Sequence, residues 1–90
     1  MEIIVTKTFV KQLKLCPVYI REATKVVLLS LEKVKKLKEV SDVKKITGYT
    51  HYYRIRIGDY HIGIKSEKPG FFIMAILHRG TIYKKIPPSN

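Results

Sequence analysis

Acidic side chains are scarce in this chain. It carries 7 Asp and Glu against 18 Lys and Arg in 90 residues, a formal net charge of +11. No pair of carboxylates stands out as a general acid and base, and no Cys/His cluster points to a metal, so a metal-free chemistry is expected and no cofactor is called for. Cysteine is nearly absent. Cys16 alone cannot form an intrachain disulfide, which fits a reducing cytoplasm, and in Leu15-Cys16-Pro17 it reads as a small buried hydrophobe. Long apolar runs are missing as well. The longest covers residues 71–77, too short to span a bilayer but suited to a buried strand. Lysines from Lys7 onward break any signal-peptide pattern. No repeat or linker divides the chain, and its length suits one small domain with a modest core.

The positive charge belongs to the folded body and not to a tail. Residues 1–46 hold 11 basic and 5 acidic side chains, and residues 47–90 hold 7 and 2. A body of this kind attracts nucleic acid, an acidic protein or an anionic membrane, or else is merely very soluble. Isoleucine, valine and leucine are frequent enough to indicate a packed chain and not a disordered one.

The hydropathy period changes once along the chain. Residues 2–5 read as a short strand. Thr6 or Thr8 can cap a helix with Phe9, Val10 and Leu13 on its apolar side, ended by Pro17. A second helix runs from 18 to about 40, with Tyr19, Ala23, Val27, Leu31, Val34 and Leu37 at helical spacing and lysines between them. Residues 41–48 form a connector with Val43 and Ile46 tucked inward. Beyond it the period is two. Tyr53, Ile55 and Ile57 alternate with Tyr52, Arg54 and Arg56; then Tyr60, Ile62 and Ile64 alternate with His61, Gly63 and Lys65. Gly58-Asp59 between them is a two-residue turn of type II′. Residues 66–70 turn again at Pro69-Gly70, residues 71–77 make an interior strand, Ile82-Tyr83 can add a short one, and Pro87-Pro88 ends the order. The expected fold class is α+β: two N-terminal helices packed on a small twisted antiparallel sheet, in the order β-α-α-β-β-β.

Pairing across the Gly58-Asp59 turn sets Ile57 opposite Tyr60, Arg56 opposite His61, Ile55 opposite Ile62 and Arg54 opposite Gly63. Arg54, Arg56 and His61 then share one face, and the apolar set shares the other. If the strand from Phe71 pairs back on the hairpin, His78 and Arg79 emerge beside Arg56 and His61, with Tyr83 following. RNA cleavage needs a deprotonated ribose 2′-hydroxyl, a stabilised phosphate and a protonated 5′-oxygen. Arginine serves the phosphate, histidine can move protons near neutral pH, and a tyrosine can stack on a base or donate its hydroxyl. Each residue also has a plainer use. The arginines can guard a sheet edge, His61 can be a polar filler, His78 and Arg79 can end a strand, and Tyr83 can be core. His51 reads as a loop residue. The case for chemistry rests on their convergence.

The segments Tyr53-Arg54-Ile55-Arg56-Ile57-Gly58-Asp59-Tyr60-His61-Ile62 and His78-Arg79-Gly80-Thr81-Ile82-Tyr83-Lys84 resemble the RelE/ParE superfamily of toxins from type II toxin–antitoxin systems. Size and element order match too, so the resemblance covers nearly the whole chain. It implies a cytoplasmic toxin that enters the ribosomal A site and cuts mRNA there by attack of the 2′-hydroxyl, without metal. The family's basic hairpin residues map to Arg54 and Arg56, its phosphate-stabilising strand-end arginine to Arg79 and its late tyrosine to Tyr83. Many relatives carry arginine after the Gly-Asp-Tyr turn, where this chain has His61. Proton transfer is therefore assigned to His61 and His78, because arginine stays protonated. The resemblance also implies an acidic antitoxin that folds on binding and makes the DNA contacts of the pair, and no membrane partner. The rival expectations are a ParE-like toxin that inhibits DNA gyrase by binding, a non-catalytic nucleic-acid-binding module, and a decayed toxin. His78, Arg79 and Tyr83 favour the nuclease over the gyrase inhibitor.

Overall fold

The first strand, β1 (Glu2–Val5), passes directly into helix α1 (Lys7–Lys14). Thr6 makes the junction. Its backbone is extended, and its hydroxyl accepts the Phe9 N–H at 3.2 Å, supplying a partner that the helix itself lacks at its N-terminus. Pro17, extended, then opens helix α2 (Val18–Lys33). The structure, a computed structural model, describes residues 2–37, 40 and 43–80. Four more strands follow: β2 (Val43–Lys45), β3 (Tyr52–Ile57), β4 (Tyr60–Glu67) and β5 (Gly70–His78). They form one sheet in the order β1-β5-β4-β3-β2.

The α+β class is as expected, and the β3–β4 register is the one deduced from the turn, including Arg56 opposite His61 and Arg54 opposite Gly63. Gly58 carries a φ of +57° while Asp59 does not share the left-handed region, the pattern of a type II′ turn. Three details differ. The sheet is mixed, because β1 pairs parallel with β5, from Glu2 opposite Gly70 to Val5 opposite Ile73. That partner lies too far along the chain for local pattern to reveal. The stretch read as a connector contains β2, antiparallel to β3, and only three residues long. Finally, α2 stops at Lys33 and Val34 is extended. A helix continued to Leu37 would carry that side chain about 120° around from Leu31. Breaking the helix instead lets Leu37 fold back into the core, where it is buried.

Both helices cover one face of the sheet. Phe9, Ile20 and Leu31 meet Ile55, Ile57, Ile62, Ile64, Phe71, Ile73 and Ile76 in a single buried cluster. Full burial of each such side chain stabilises the fold by about 1.5–3 kcal/mol. The buried line of α2 runs through Ile20, and Tyr19, expected on it, is largely exposed. The other face carries a small cluster of Ile46 and Ala75 with Tyr52, Met74 and Leu77 against it, so Val43 and Ile46 fall on opposite sides of the sheet. β5 is interior, flanked by β1 and β4, and contains one irregularity. Ile73 pairs with Ile64 and Ala75 with Gly63, leaving Met74 as an extra residue, a β-bulge.

Gly70 of β5 lies tight against the backbone of β1. A Cβ there would overlap the backbone carbonyl of Glu2, and neither backbone can yield without disturbing the ladder. Gly70→Ala is expected to lower the unfolding free energy by about 1–3 kcal/mol. Urea denaturation of the variant checks it, and a change within ±0.3 kcal/mol would place the strand ends farther apart than described.

Candidate active site

The face of the sheet away from the helices carries the charge. The β3–β4 hairpin places Arg54, Arg56 and His61 on it together, as strand alternation requires. Lys44 joins them because β2 pairs with β3 in a register that sets Lys44 beside Arg54. Arg79 arrives from the end of β5. Its N–H donates to the Asp59 carbonyl at 2.8 Å, which extends the β4–β5 ladder past its last paired residues and ties Arg79 to the hairpin tip. The five side chains line a cleft of about 260 Å³. None of the five is acidic, so the cleft favours an incoming anion.

His61 sits at the bottom, only 6% exposed. Its Nε2 lies 3.5 Å from Arg54 Nη1. A guanidinium can only donate, so Nε2 is the acceptor and the ring proton is assigned to Nδ1. Burial holds the imidazole below its ordinary pKa of 6.5, and the positive charges of Arg54, Arg56 and Arg79 push it the same way. At neutral pH His61 is therefore uncharged, with a lone pair directed at the cleft's cations. Arg56 is exposed, and its Nε donates to the Gly58 carbonyl at 3.3 Å, which turns the guanidinium back over the hairpin tip. Gly63, opposite Arg54, contributes no side chain, leaving space beside it.

Of the six residues singled out from sequence, four come together: Arg54, Arg56, His61 and Arg79. His78 does not. It pairs with Tyr60, shares that residue's face, and stacks edge-on against its ring at 5.7 Å between centroids. The bulge is the reason. An unbroken strand from Phe72 would put Met74, Ile76 and His78 on the cleft face; the extra residue shifts the alternation, so Ala75, Leu77 and Arg79 take that side. Tyr83 and the strand expected at Ile82-Tyr83 lie outside the described residues. His51 is exposed in the β2–β3 loop with a φ of 71°. Lys44 was missed by sequence reasoning, since three strand residues are too few for a period-two pattern to register.

The His61 shift has a testable sign. The unfolded chain takes up a proton near pH 6.5 and the folded chain only at lower pH, so the unfolded state binds more protons in that window. Stability contributed by neutral His61 is complete above pH 6.5 and is lost as pH falls below it. Urea unfolding of the wild type and of His61→Gln at pH 7 and pH 5 should show the wild type losing more stability than the variant. A pH-independent difference between them would contradict a buried, uncharged imidazole.

No protein-family model matches the chain. Over 88 residues it is 40% identical to the protein named Toxin RelE3 from Methanocaldococcus jannaschii, covering 97% of this chain and all of that protein. Among solved structures, it superposes with a TM-score of 0.80 and 40% identity on a chain of the RelB–RelE antitoxin–toxin complex from Methanococcus jannaschii, covering 93% of this chain and 99% of that one. The archaeal RelE–RelB complex from Pyrococcus horikoshii gives 0.72 at 25% identity, covering 88% and 94%. YafQ from E. coli gives 0.67 at 13% identity, a likeness of fold alone, covering 91% and 97%. The near-complete match in sequence and architecture establishes that the chain belongs to the RelE family of toxins.

Proposed function

We propose that the chain is the toxin of a type II toxin–antitoxin system and acts as a ribosome-dependent mRNA endonuclease, cutting mRNA in the A site and so stopping translation. The observation that carries the reading is the grouping of Lys44, Arg54, Arg56 and Arg79 around a buried histidine held neutral. In this reading the scissile phosphate enters the cleft and the arginines bind its oxygens, with a fork geometry that fits the pentavalent transition state. Nε2 of His61 exchanges its weak contact with Arg54 for the ribose 2′-hydroxyl and takes its proton. The 2′-oxygen attacks phosphorus, the bond to the 5′-oxygen breaks, and a 2′,3′-cyclic phosphate forms. The leaving 5′-oxygen needs a proton, which we assign to the ammonium of Lys44, since arginine holds its protons too tightly. His78, turned to the other face, takes no part.

The same reading includes an acidic antitoxin and a cytoplasmic site of action. A net charge of +11 suits such a partner. A groove of about 390 Å³ beside α1 and α2, lined by Leu13, Val18, Arg21, Glu22, Thr24, Lys25 and Leu28, offers such a partner a largely apolar seat. Related chains are solved as RelB–RelE complexes. DNA contacts of the pair would then be made by the antitoxin.

Cleavage of mRNA on programmed ribosomes tests the reading. Arg79→Ala should lose about 10²–10³-fold in rate with an unchanged circular-dichroism spectrum and melting temperature. His78→Ala should stay within about threefold of the wild type, because a residue outside the cleft makes no transition-state contact. Full activity in R79A, or an equal loss in H78A, would sink the assignment. Inhibition of gyrase supercoiling without any mRNA cleavage would replace the nuclease by a binding toxin. The pH profile adds a second check. With His61 as base, kcat/KM should be flat down to about pH 6.5 and decline only below it, and H61Q should lack that limb.

A further inference from the structure

The bulge at Met74 decides which of two neighbouring residues, His78 or Arg79, faces the cleft, and it is not held by the sheet alone. The last β1–β5 pair is Val5 with Ile73, and beyond it no strand among the described residues covers that side of β5. Two side chains from the start of the protein take over. The Thr6 hydroxyl donates to the carbonyls of Ile73 and Met74 at 3.0 and 3.2 Å, and the Thr6 N–H donates to the Ile73 carbonyl at 3.2 Å. Gln12 Oε1 accepts the Ile76 N–H at 3.0 Å. These bonds bracket the extra residue on both sides. Gln12 lies on α1, 64 residues from Ile76, and it is only partly exposed, so this contact is a specific reach across the fold.

We propose that Thr6 and Gln12 are positioning residues that clamp the Met74 bulge and thereby hold Arg79, and not His78, on the face of the cleft. The alternative they oppose is concrete. A regular β5 that absorbed Met74 into the ladder would slide the rest of the strand by one residue, and every side chain after it would change face. Arg79 would leave the cleft and His78 would enter. The apolar run from Phe71 to Leu77 offers a hydrophobic residue at every position of either register, although the slip would exchange buried Ile76 for the smaller Ala75 opposite Ile62. Met74 itself, unbranched and flexible, tolerates either placement. The slipped register also loses polar partners: Ile76 N–H would part from Gln12, and the Met74 carbonyl from Thr6. Polar bonds from α1 and its cap thus act together with the burial of Ile76 to hold the observed register.

The activity part of the test rests on the nuclease reading; the structural part does not. Gln12→Met keeps length and helix preference but removes the acceptor, and Gln12→Glu keeps an acceptor oxygen. In Q12M, amide exchange at Ile76 and Arg79 should accelerate at least about tenfold while Ile64 and Phe71 are unchanged, and the cross-strand contact between His61 and Leu77 should weaken in NMR spectra. Single-turnover cleavage should fall at least about tenfold with KM within about threefold, and Q12E should match the wild type in every readout. Thr6→Val against Thr6→Ser repeats the comparison from the other end should Q12M fail to fold. Uniformly faster exchange throughout the chain, unchanged exchange at Ile76, or equal defects in Q12E and Q12M would each overturn the clamp. A wild type that leaves ribosomal mRNA intact would remove the nuclease reading, and the exchange and NMR data would still decide the register.

Discussion

At the tip of the hairpin, Tyr60 pairs with His78 and the Asp59 carbonyl takes the Arg79 N–H. This end of the β4–β5 ladder is the contact on which the cleft depends. β3 reaches the same place through the Gly58-Asp59 turn, and β2 through its pairing with β3. Four strands thus deliver five polar side chains to one spot, four of them by the ordinary alternation of a pleated strand and Arg79 through the bulge in β5. None of the five needs an unusual backbone conformation. The helices contribute no side chain to the cleft lining, yet they bury the opposite face and so determine which way every strand residue points.

The electrostatics follow from that geometry. Four permanent or readily held positive charges share a small opening without an acidic neighbour in its lining, while the described residues place an ion pair elsewhere, between Lys65 and Glu67 at 3.0 Å. Like charges gathered in one small opening repel one another at some expense to the fold's stability, which the core must offset. His61 answers the same field in the opposite sense. Surrounded by cations and largely removed from water, it stays neutral, and neutrality is what a proton acceptor requires. The arginines therefore act on the substrate directly and on the base through its protonation state.

Much of this could be read from the chain before any coordinates. The Gly58-Asp59 dipeptide marks a turn whose length dictates register, so the common face of Arg54, Arg56 and His61 was open to deduction. The inward set of isoleucines followed from the same alternation. What escaped has physical reasons. A bulge in an uninterrupted apolar run leaves no mark, because no polar residue shows the change of parity; hence His78 was grouped with Arg79. Lys44 was hidden in a strand of three residues. The parallel partner of β1 lies at the other end of the chain, beyond any local pattern. Of the α2 line, Ala23, Val27, Leu31 and Val34 do pack on the core, and only Tyr19 leaves it, its place taken by Ile20.

The parallel pairing of β1 with β5 has a bearing on when the cleft comes into being. The first strand's main-chain partner is the last described strand, and the clamp on Met74 reaches back to Thr6 and Gln12. A chain still emerging from its own ribosome holds α1, α2 and the hairpin early, but β1 has nothing to pair with and Arg79 has not been made. Contacts of such long sequence separation form late in folding. The cationic groups of the hairpin are thus a loose set until β5 slots between β1 and β4, so the site closes with the longest-range pairing of the fold.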